Sequence, residues 1–507
     1  MLAFFVVAVS VPPAAGGECE ACGHEMCTAF GIGKNATWDG STICTQSADC
    51  GECDFTLHYV PAADHGEGSV KRVRRWTQLS GGRMNGPGEV IAEIPEAGHT
   101  YAYFRAIFGV MNEHGLSMGE STIFSRPELH PAEDSEAVFD VTELSMIAME
   151  RCRSAREAIG LMGSLAEEFG FRGSWAGEAL IIADGDEVWV FEVHPSGAHW
   201  KRAGGESGAI WCARRVPDDC FVVVPNESVI REVNMNDTED LMASDNVFDV
   251  AIENGWWDGR EPFRWDMAYS GRKANSLRTW RALSMAAPSL GLKPRAEDYP
   301  FCVRPDRKLT FQDVRDMHGD HFEGTPFDQT KGPFGSPNRP GAERSIATMR
   351  SEYVVINQVR GWMPSHVRGV TWWGVDDGDT NCYVPLYCGI TEVPEAYTKG
   401  DHHSLDLSSA FWLFNLAGNW AQLRYCDMIK EINHEQRRIE SAELSMQPLV
   451  DERAMRLYDA SPEAARAYLT EYCVRNADAV LDSWRDLLDR LVDVYDDGGA
   501  APVPGVA

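Results

Sequence analysis

The chain has 507 residues, of which 44% are hydrophobic, 24% charged and 10% aromatic. This composition is typical of a globular protein and excludes collagen-like, disordered and heptad-repeat chains. Because 77 Asp and Glu outnumber 46 Lys and Arg, the formal net charge is −31, which argues against nucleic acid or an anionic membrane as the main partner. The length allows about three domains of ~150 residues or one large layered domain.

The first 17 residues have the pattern of a secretory signal peptide. Leu2–Val11 is apolar except for Ser10, and small residues and prolines follow up to Gly17, although the basic start typical of such peptides is missing. No later segment reaches the ~18 uninterrupted apolar residues that a membrane span needs. We therefore expect a protein that is secreted or lies in the lumen of the secretory or lysosomal pathway; a misassigned start is the alternative.

Cysteine usage also indicates an oxidising compartment, since fourteen cysteines are many for a cytosolic enzyme. Six lie near the start of the chain: Cys19, Cys22, Cys27, Cys44, Cys50 and Cys53. Disulfides are expected here, for example among the last three. Cys19 with Cys22, and Cys50 with Cys53, also have the C-x-x-C spacing of zinc knuckles, so zinc is the alternative.

The first predicted elements are two hairpins. Apolar stretches on either side of the polar turn Lys34–Gly40 predict a β-hairpin that starts at Cys27. Ala102–Val110 and Leu116–Glu120 surround a tight turn at Asn112–Gly115, which again indicates strand, turn and strand.

Helical and strand patterns then alternate along the chain. Apolar residues at helical spacing predict a helix over Val141–Phe169. Strands are predicted at Ala179–Ala183, Val188–Val193, Cys220–Val224, Tyr353–Gln358 and Gly369–Trp373, mainly helical segments at 236–290 and 402–494, and loops at 300–345. Without an obvious boundary, this pattern favours one large α+β domain over 27–400, a helical extension over 401–496 packed on it, and a flexible tail over 497–507.

Cys27 is the candidate for chemistry because it stands at the head of a predicted strand, after a short leader. If the Met26–Cys27 bond is cut, the new α-amine, with a pKa of about 7.7–8, can accept the thiol proton near neutral pH. The ionised thiol is a strong nucleophile, so one residue would supply both nucleophile and base. A buried or disulfide-bonded cysteine is the alternative.

The sequence around Cys27 reads Met-Cys-Thr, then Gly-Lys-Asn-Ala-Thr-Trp-Asp-Gly-Ser-Thr, and reaches Asp49. This stretch resembles the start of the N-terminal-nucleophile cysteine dipeptidases, relatives of penicillin V acylase and of the secernins. Similar blocks follow in the same order at Thr100–Tyr103, Met111–Ser117, Glu120–Ser121, Glu178–Asp184, Glu187–Glu192, Trp211–Asp218, Lys331–Gly335, Gly369–Gly374 and Tyr383–Tyr387. The resemblance covers roughly Cys27 to Glu440 and rests on the collinear series.

The resemblance implies a four-layer αββα sandwich of the N-terminal-nucleophile hydrolase type, with an additional helical C-terminal region. It implies a cysteine dipeptidase: Cys27 attacks the peptide carbonyl, forms a thioester, and water releases the acid. The expected partner is a dipeptide, and no cofactor or metal is expected; a homo-oligomer is compatible with the resemblance.

The resemblance assigns four further residues. Asp49 matches the acid that holds the amine of the nucleophile, with a solvated turn carboxylate as the alternative. Asn112 matches an asparagine that helps bind the oxyanion, a donor worth ~10²–10³ in rate, with a turn asparagine as the alternative. Asn226 matches a further active-site asparagine, although it also starts an N-x-S sequon. Arg278 matches a late arginine of the acylases, with Arg281 as a competitor and a helix-surface arginine as the alternative for both.

Two features depart from the acylase pattern. Gln46 stands where the acylases carry an arginine, and the missing charge could raise the thiol pKa or alter substrate choice. Cys27 is internal to the chain, and signal cleavage after residue 17 would leave residues 18–26 attached to it. The mechanism therefore requires a second cut at Met26–Cys27, which makes 18–26 a short propeptide.

Other sequence motifs do not indicate a cofactor. His99, His114, His194 and His321 lack H-E-x-x-H or comparable spacing and are predicted to be structural, and no phosphate-binding loop of the G-x-x-x-x-G-K-S/T type occurs. Two alternatives to a dipeptidase stay open. One is an amidase or acylase on a non-peptide amide, because pocket shape decides the substrate. The other is a non-catalytic, secreted, disulfide-stabilised binding protein on the same scaffold.

Overall fold

The computed structural model describes residues 27–75, 88–173, 176–338 and 343–496. The predicted signal peptide (1–17), propeptide (18–26) and tail (497–507) lie outside these ranges, as do Cys19 and Cys22. Within them, no helix combines the length and apolar character that a membrane crossing requires.

Eighteen strands form in the described ranges. In chain order they are β1 (Ala29–Ile32), β2 (Thr42–Ala48), β3 (His58–Val60), β4 (Ala63–Asp64), β5 (Val70–Arg74), β6 (Val90–Pro95), β7 (His99–Thr100), β8 (Tyr103–Arg105), β9 (Gly109–Asn112), β10 (Ser117–Ile123), β11 (Gly177–Ala183), β12 (Val188–Pro195), β13 (Ala209–Val216), β14 (Phe221–Val224), β15 (Leu241–Ala243), β16 (Tyr353–Val359), β17 (Gly369–Val375) and β18 (Val384–Tyr387).

Nine α-helices accompany them in the same ranges. They are α1 (Val141–Arg151), α2 (Ala155–Phe169), α3 (Val247–Glu253), α4 (Leu277–Ala286), α5 (Phe311–His318), α6 (Ser365–Arg368), α7 (Ala410–Ala421), α8 (Tyr425–Ala460) and α9 (Pro462–Val494).

Two antiparallel sheets form the centre of the protein. One has the strand order β14-β1-β2-β16-β17-β18 and the other β15-β13-β12-β11-β10-β9-β8-β3. They face each other where β1 and β2 lie over β10 and β11, and there the Cys44 thiol donates to the Ile181 carbonyl (3.2 Å). A Cβ at Gly119 would lie 2.2 Å from the Thr45 carbonyl oxygen, so only glycine permits this close approach of the two sheets.

Helices pack against both sheets. α1 and α2 contact strands of the eight-stranded sheet, whereas α4, α5, α7 and α9 contact strands of the six-stranded sheet. The His318 ring of α5 shares a hydrogen bond with the Thr45 hydroxyl of β2 (2.7 Å). Side chains alternate between the two faces of a strand, so Thr45 and Cys44 point in opposite directions and α5 lies on the sheet face turned away from the other sheet.

The C-terminal helices are tied to this core by buried polar contacts. Asp451 of α8 pairs with the Arg360 guanidinium and accepts a hydrogen bond from the Tyr387 hydroxyl (2.7 Å). Trp484 of α9 is buried and packs against Phe414 of α7.

The predicted α+β class is confirmed, and so are both early hairpins and the paired strands β11 and β12. The helical spacing over Val141–Phe169 is confirmed, but it is divided between two helices, α1 and α2. The Ser154 side chain accepts from Glu157 N and starts the second helix. The helical expectation for 236–290 is confirmed only in part, since strand β15 and non-helical stretches interrupt it. β13 was not among the predicted strands.

Candidate active site

Cys27 lies directly before β1 and is 1% exposed. Its sulfur is 3.8 Å from the side-chain amide nitrogen of Gln46, a residue of β2 that donates to it. Its carbonyl oxygen accepts hydrogen bonds from Arg278 Nη1 (3.0 Å) and from the Ser121 hydroxyl (3.4 Å). Residues from β2, β10 and α4 therefore fix the residue at the start of the first strand.

Arg278 is a buried residue that joins several parts of the site. Beyond Cys27, its guanidinium donates to Thr28 Oγ1 (2.9 Å), to the Pro225 carbonyl (2.8 Å) and to Asn226 Oδ1 (2.9 Å). Burial, helped by the nearby charge of Arg344, lowers the pKa of Arg278 to about 9, which leaves it mainly charged at neutral pH. The helix-surface alternative does not fit this position.

Its competitor, Arg281, points elsewhere. The Arg281 guanidinium forms an ion pair with Asp320 and also donates to the Glu323 carbonyl (2.9 Å). Among the described residues, Arg278 is therefore the arginine of α4 that is hydrogen-bonded to Cys27, and Arg281 is not.

Asn226 follows β14 in the left-handed backbone region, with φ at +62°. Its backbone N–H donates to Ser121 Oγ (3.0 Å) and its side-chain Nδ2 to the Thr122 carbonyl (2.8 Å). A glycan would be attached at this same Nδ2. Since the residue is 5% exposed, the fold leaves no room for that modification.

Asp49 is fully buried at the end of β2. Its carboxylate accepts from Ser47 Oγ (3.0 Å) and Ser351 Oγ (2.6 Å) and forms an ion pair with Arg344. The Ser47 backbone pairs with that of Thr28 through two hydrogen bonds (2.9 and 3.3 Å), which brings Asp49 to the side of the chain next to Cys27. Asp49 is thus not a solvated turn carboxylate.

A second buried carboxylate adjoins the thiol. Glu120 of β10 accepts from Gln46 Nε2 (3.1 Å) and from Thr122 Oγ1 (2.9 Å). Burial raises the pKa of Glu120, while hydrogen bonds with Glu178, the Cys27 thiol and Thr122 oppose this rise. Gln46 therefore bridges the Cys27 sulfur and the Glu120 carboxylate. By the resemblance, the acylases carry an arginine at this position.

The structure does not bring Asn112 to this cluster. Its side-chain Nδ2 donates to the Met149 and Cys152 carbonyls (3.0 and 2.8 Å), and its Oδ1 accepts from the backbone of His114 and Leu116 (3.0 and 3.1 Å). These contacts join the β9–β10 turn to the end of α1. They favour the turn asparagine over the oxyanion role, because the side-chain amide is engaged in holding the turn.

Replacing Asn112 with alanine is therefore expected to reduce stability rather than turnover. Each buried backbone group that loses its partner costs about 1–3 kcal/mol, so the thermal midpoint should fall clearly. Turnover per folded molecule, measured well below that midpoint, should stay within about twofold of wild type. Normal stability together with a loss of roughly 10²-fold or more, the effect of a missing oxyanion donor, would contradict the turn assignment.

The structure thus gathers Cys27, Asp49, Asn226 and Arg278 and leaves Asn112 apart. Sequence reasoning missed the ion-pair partner Arg344, which lies 295 residues from Asp49 in a loop-rich segment with no motif. Glu120 and Ser121 appeared in the sequence only as part of a similar block. The signal that could have found Glu120 was a carboxylate within an otherwise uncharged strand, Ser117–Ile123.

The sulfurs of the C-x-x-C pair Cys50 and Cys53 are adjacent in the structure, an arrangement that suits the expected disulfide better than two thiolates around zinc. Cys44 lies apart from this pair, within β2 between the two sheets.

A buried cysteine beside two carboxylates and two arginines, in an α+β fold, is an arrangement that a cysteine-type hydrolase requires. The chain belongs to Peptidase family C69, which matches residues 26–438. It is 26% identical to the "Probable dipeptidase" of Latilactobacillus sakei over 408 residues, covering 76% of this chain and 79% of that protein. It is 24% identical to "Dipeptidase A" of Lactobacillus helveticus (79% and 82% covered) and 25% identical to the "Dipeptidase" of Bifidobacterium longum (76% and 75%).

Proposed function

We propose that this protein is a dipeptidase that uses Cys27, freed at the start of the mature chain, as nucleophile and its α-amine as base. The observation that carries the proposal is the convergence of Asp49, Asn226 and Arg278 on the start of β1. The relatives named dipeptidase support the substrate class. The proposal also includes removal of residues 1–17 and then of residues 18–26 on a secretory route, which frees the α-amine of Cys27.

Helix placement supports the four-layer N-terminal-nucleophile hydrolase fold. α1 and α2 contact one sheet, α4 and α5 contact the other, and the two sheets face each other. This succession corresponds to helix, sheet, sheet and helix layers. The cysteine at the start of an inner strand is where such a fold would carry its nucleophile.

In the proposed reaction the α-amine of Cys27 takes the thiol proton and the sulfur attacks the peptide carbonyl. Asp49 and its partner Arg344 orient the amine. Asn226 takes the oxyanion role that was assigned to Asn112: one N–H of its Nδ2 holds the Thr122 carbonyl, and the second N–H of an amide nitrogen is directed to the oxyanion. When the tetrahedral intermediate collapses, the peptide C–N bond breaks and the leaving amine takes the proton from the α-ammonium group of Cys27. Water then hydrolyses the thioester, which releases the acid and restores the thiol.

Charged groups suited to the two ends of a dipeptide lie at the thiol and in a cavity beyond Glu178, which Asp140 also lines. Glu120 is a buried carboxylate at the thiol and suits the substrate ammonium group. Its neighbour Glu178 lines a cavity of about 320 Å³ that is also lined by Arg75 and Arg172, which suit a carboxylate. A short substrate with both ends charged fits this arrangement better than an internal peptide segment.

The test is hydrolysis of a dipeptide panel by protein whose first residue is Cys27, with and without a thiol alkylator. We expect alkylator-sensitive cleavage of free dipeptides and much slower cleavage of their N-acetyl and C-terminal amide derivatives. Cleavage of acyl amides but not dipeptides would point to the amidase alternative. Absence of all hydrolysis would favour the binding protein.

Glu120→Gln is expected to lower kcat/KM for dipeptides roughly 10–150-fold, because a hydrogen bond to a charged group contributes about 1.5–3 kcal/mol. N-acetyl dipeptides, which lack the ammonium group, should lose little. The raised pKa of Glu120 means that the carboxylate is protonated at a higher pH than an ordinary glutamate. Wild-type kcat/KM should therefore rise with pH as Glu120 ionises, above the usual glutamate value of about 4.3.

The part of this acid limb that is due to Glu120 should be absent from the pH profile of Glu120→Gln, whereas the rise due to ionisation of the Cys27 α-amine remains. An equal loss for free and N-acetyl dipeptides, or an unchanged acid limb, would show that Glu120 does not contact the ammonium group.

A further inference from the structure

A second buried group of polar side chains lies apart from Cys27. It consists of His321, just after α5, and of Asp377 and Asp379, in the loop after β17. One ligand atom from each residue lies within 4.8 Å of the others, and their exposed fractions are 0%, 4% and 7%. Two ligands of one zinc ion at ~2.1 Å are at most ~4.2 Å apart, so shifts below an ångström would close the three around one cation.

These side chains hold buried polar atoms whose hydrogen-bonding capacity is unused. His321 Nε2 and the Oδ1 atoms of Asp377 and Asp379 have no hydrogen-bond partner among the described residues, whereas His321 Nδ1 lies 3.5 Å from Glu323 Oε1. Buried polar atoms are normally hydrogen-bonded. Several unused acceptors that converge on one point are therefore an independent indication that the site has a ligand.

The local charge is also unbalanced. The carboxylates of Glu323 and the two cluster aspartates lie around the single imidazole of His321, whose Nδ1 is 3.5 Å from Glu323 Oε1 and 4.0 Å from Asp379 Oδ2. The nearby Asp320 is already paired with an arginine.

Neighbouring residues hold the loop of Asp377 and Asp379 in place, and a cavity adjoins the cluster. Gln436 of α8 donates to the Asp379 carbonyl (2.9 Å), and the Tyr425 hydroxyl donates to Asp379 Oδ2 (2.5 Å), so α8 fixes the loop. Asp379 and Glu323 line a cavity of about 530 Å³. The cavity, which Arg315 and Arg437 also line, adjoins the cluster at Asp379.

We propose that His321, Asp377 and Asp379 bind one divalent transition-metal ion. Imidazole with carboxylates suits Zn²⁺ and Mn²⁺, whereas an all-oxygen set would suit Mg²⁺ or Ca²⁺. The ion joins the end of α5 to the loop after β17 and balances the buried charge. The expectation from spacing alone that His321 is purely structural is revised accordingly, since its partners are more than fifty positions away.

Mn²⁺ is the primary probe because it favours oxygen and nitrogen ligands over the thiolates of this cysteine-rich chain. Full-length protein is treated with a chelator, dialysed and titrated with MnCl₂ by calorimetry, and its thermal midpoint is followed against Mn²⁺ concentration. We expect one ion per chain and a midpoint that rises with Mn²⁺. ZnCl₂ should bind more tightly, in line with the general affinity order.

Asp377→Asn and Asp379→Asn are expected to weaken Mn²⁺ binding at least tenfold and to remove the midpoint shift. Asp316→Asn is the matched control, because Asp316 lines the same cavity but is not one of the three ligands. The asparagine variants keep the side-chain size, so folding is checked by circular dichroism. Wild-type protein that binds neither ion, or equal binding by wild type and both ligand variants, overturns the proposal.

Discussion

Protein in which Cys27 is replaced by alanine is expected to fold normally and to cleave no dipeptide. The buried thiol contacts Gln46 and Glu120, and alanine removes only one sulfur atom, so the substitution costs little packing. The reaction, in contrast, loses the atom that forms the thioester. The measurement is dipeptide hydrolysis by protein that starts at residue 27, with circular dichroism and thermal unfolding as checks on the fold.

Two companion variants make this result specific. Cys27→Ser should retain at most a trace of activity, because a hydroxyl is a weaker nucleophile than a thiol. Cys44→Ala removes another buried thiol of the same hairpin, one that donates to the Ile181 carbonyl, and should keep normal turnover per folded molecule. Substantial hydrolysis by Cys27→Ala would reject the mechanism, and loss of turnover in Cys44→Ala would show that any cavity in the hairpin is enough to stop the reaction.

Local patterns predicted much of the fold. The hairpin of β1 and β2 and the meander of β11 and β12 were predicted because apolar runs separated by short polar turns specify neighbouring antiparallel strands. The break between α1 and α2 was missed because the apolar spacing continues across it. The second helix starts where the Ser154 side chain caps its first turn. A cap of this kind overrides periodicity.

The candidate site likewise contains residues that a local pattern could predict and residues that it could not. Cys27 and Asp49 belong to one hairpin, so a local motif could predict both. Arg344 and Glu120 meet them only through the tertiary fold, and no spacing rule links residues so distant in sequence. Asn112 is the opposite case. It lies in a block that resembles the family and was therefore assigned to the oxyanion, although its side-chain amide donates to two carbonyls at the end of α1. Sequence gives the residue type but not the direction of the side chain.

The same chemistry predicts that activity depends on the residue in front of Cys27. A peptide-bonded nitrogen is not basic, so a chain that retains Met26 has no amine to take the thiol proton. General-base catalysis typically contributes roughly 10²–10⁴-fold, and we expect at least that difference between the blocked and the freed enzyme. The carbonyl of Cys27 is held by Arg278 and Ser121, contacts that do not involve the α-nitrogen.

Fusion proteins allow a direct comparison of the two states. A ubiquitin-like tag placed directly before Cys27 and removed by its protease leaves cysteine as the first residue, whereas a matched fusion with one inserted glycine leaves Gly-Cys27. Both products have the same fold and thiol and differ only in whether the amine belongs to Cys27. We expect the first to gain full dipeptidase activity on release and the second to stay inactive, with intact mass confirming each new chain start. Equal activity of the two products would mean that another group takes the thiol proton, and the α-amine of Cys27 would then have no part in catalysis.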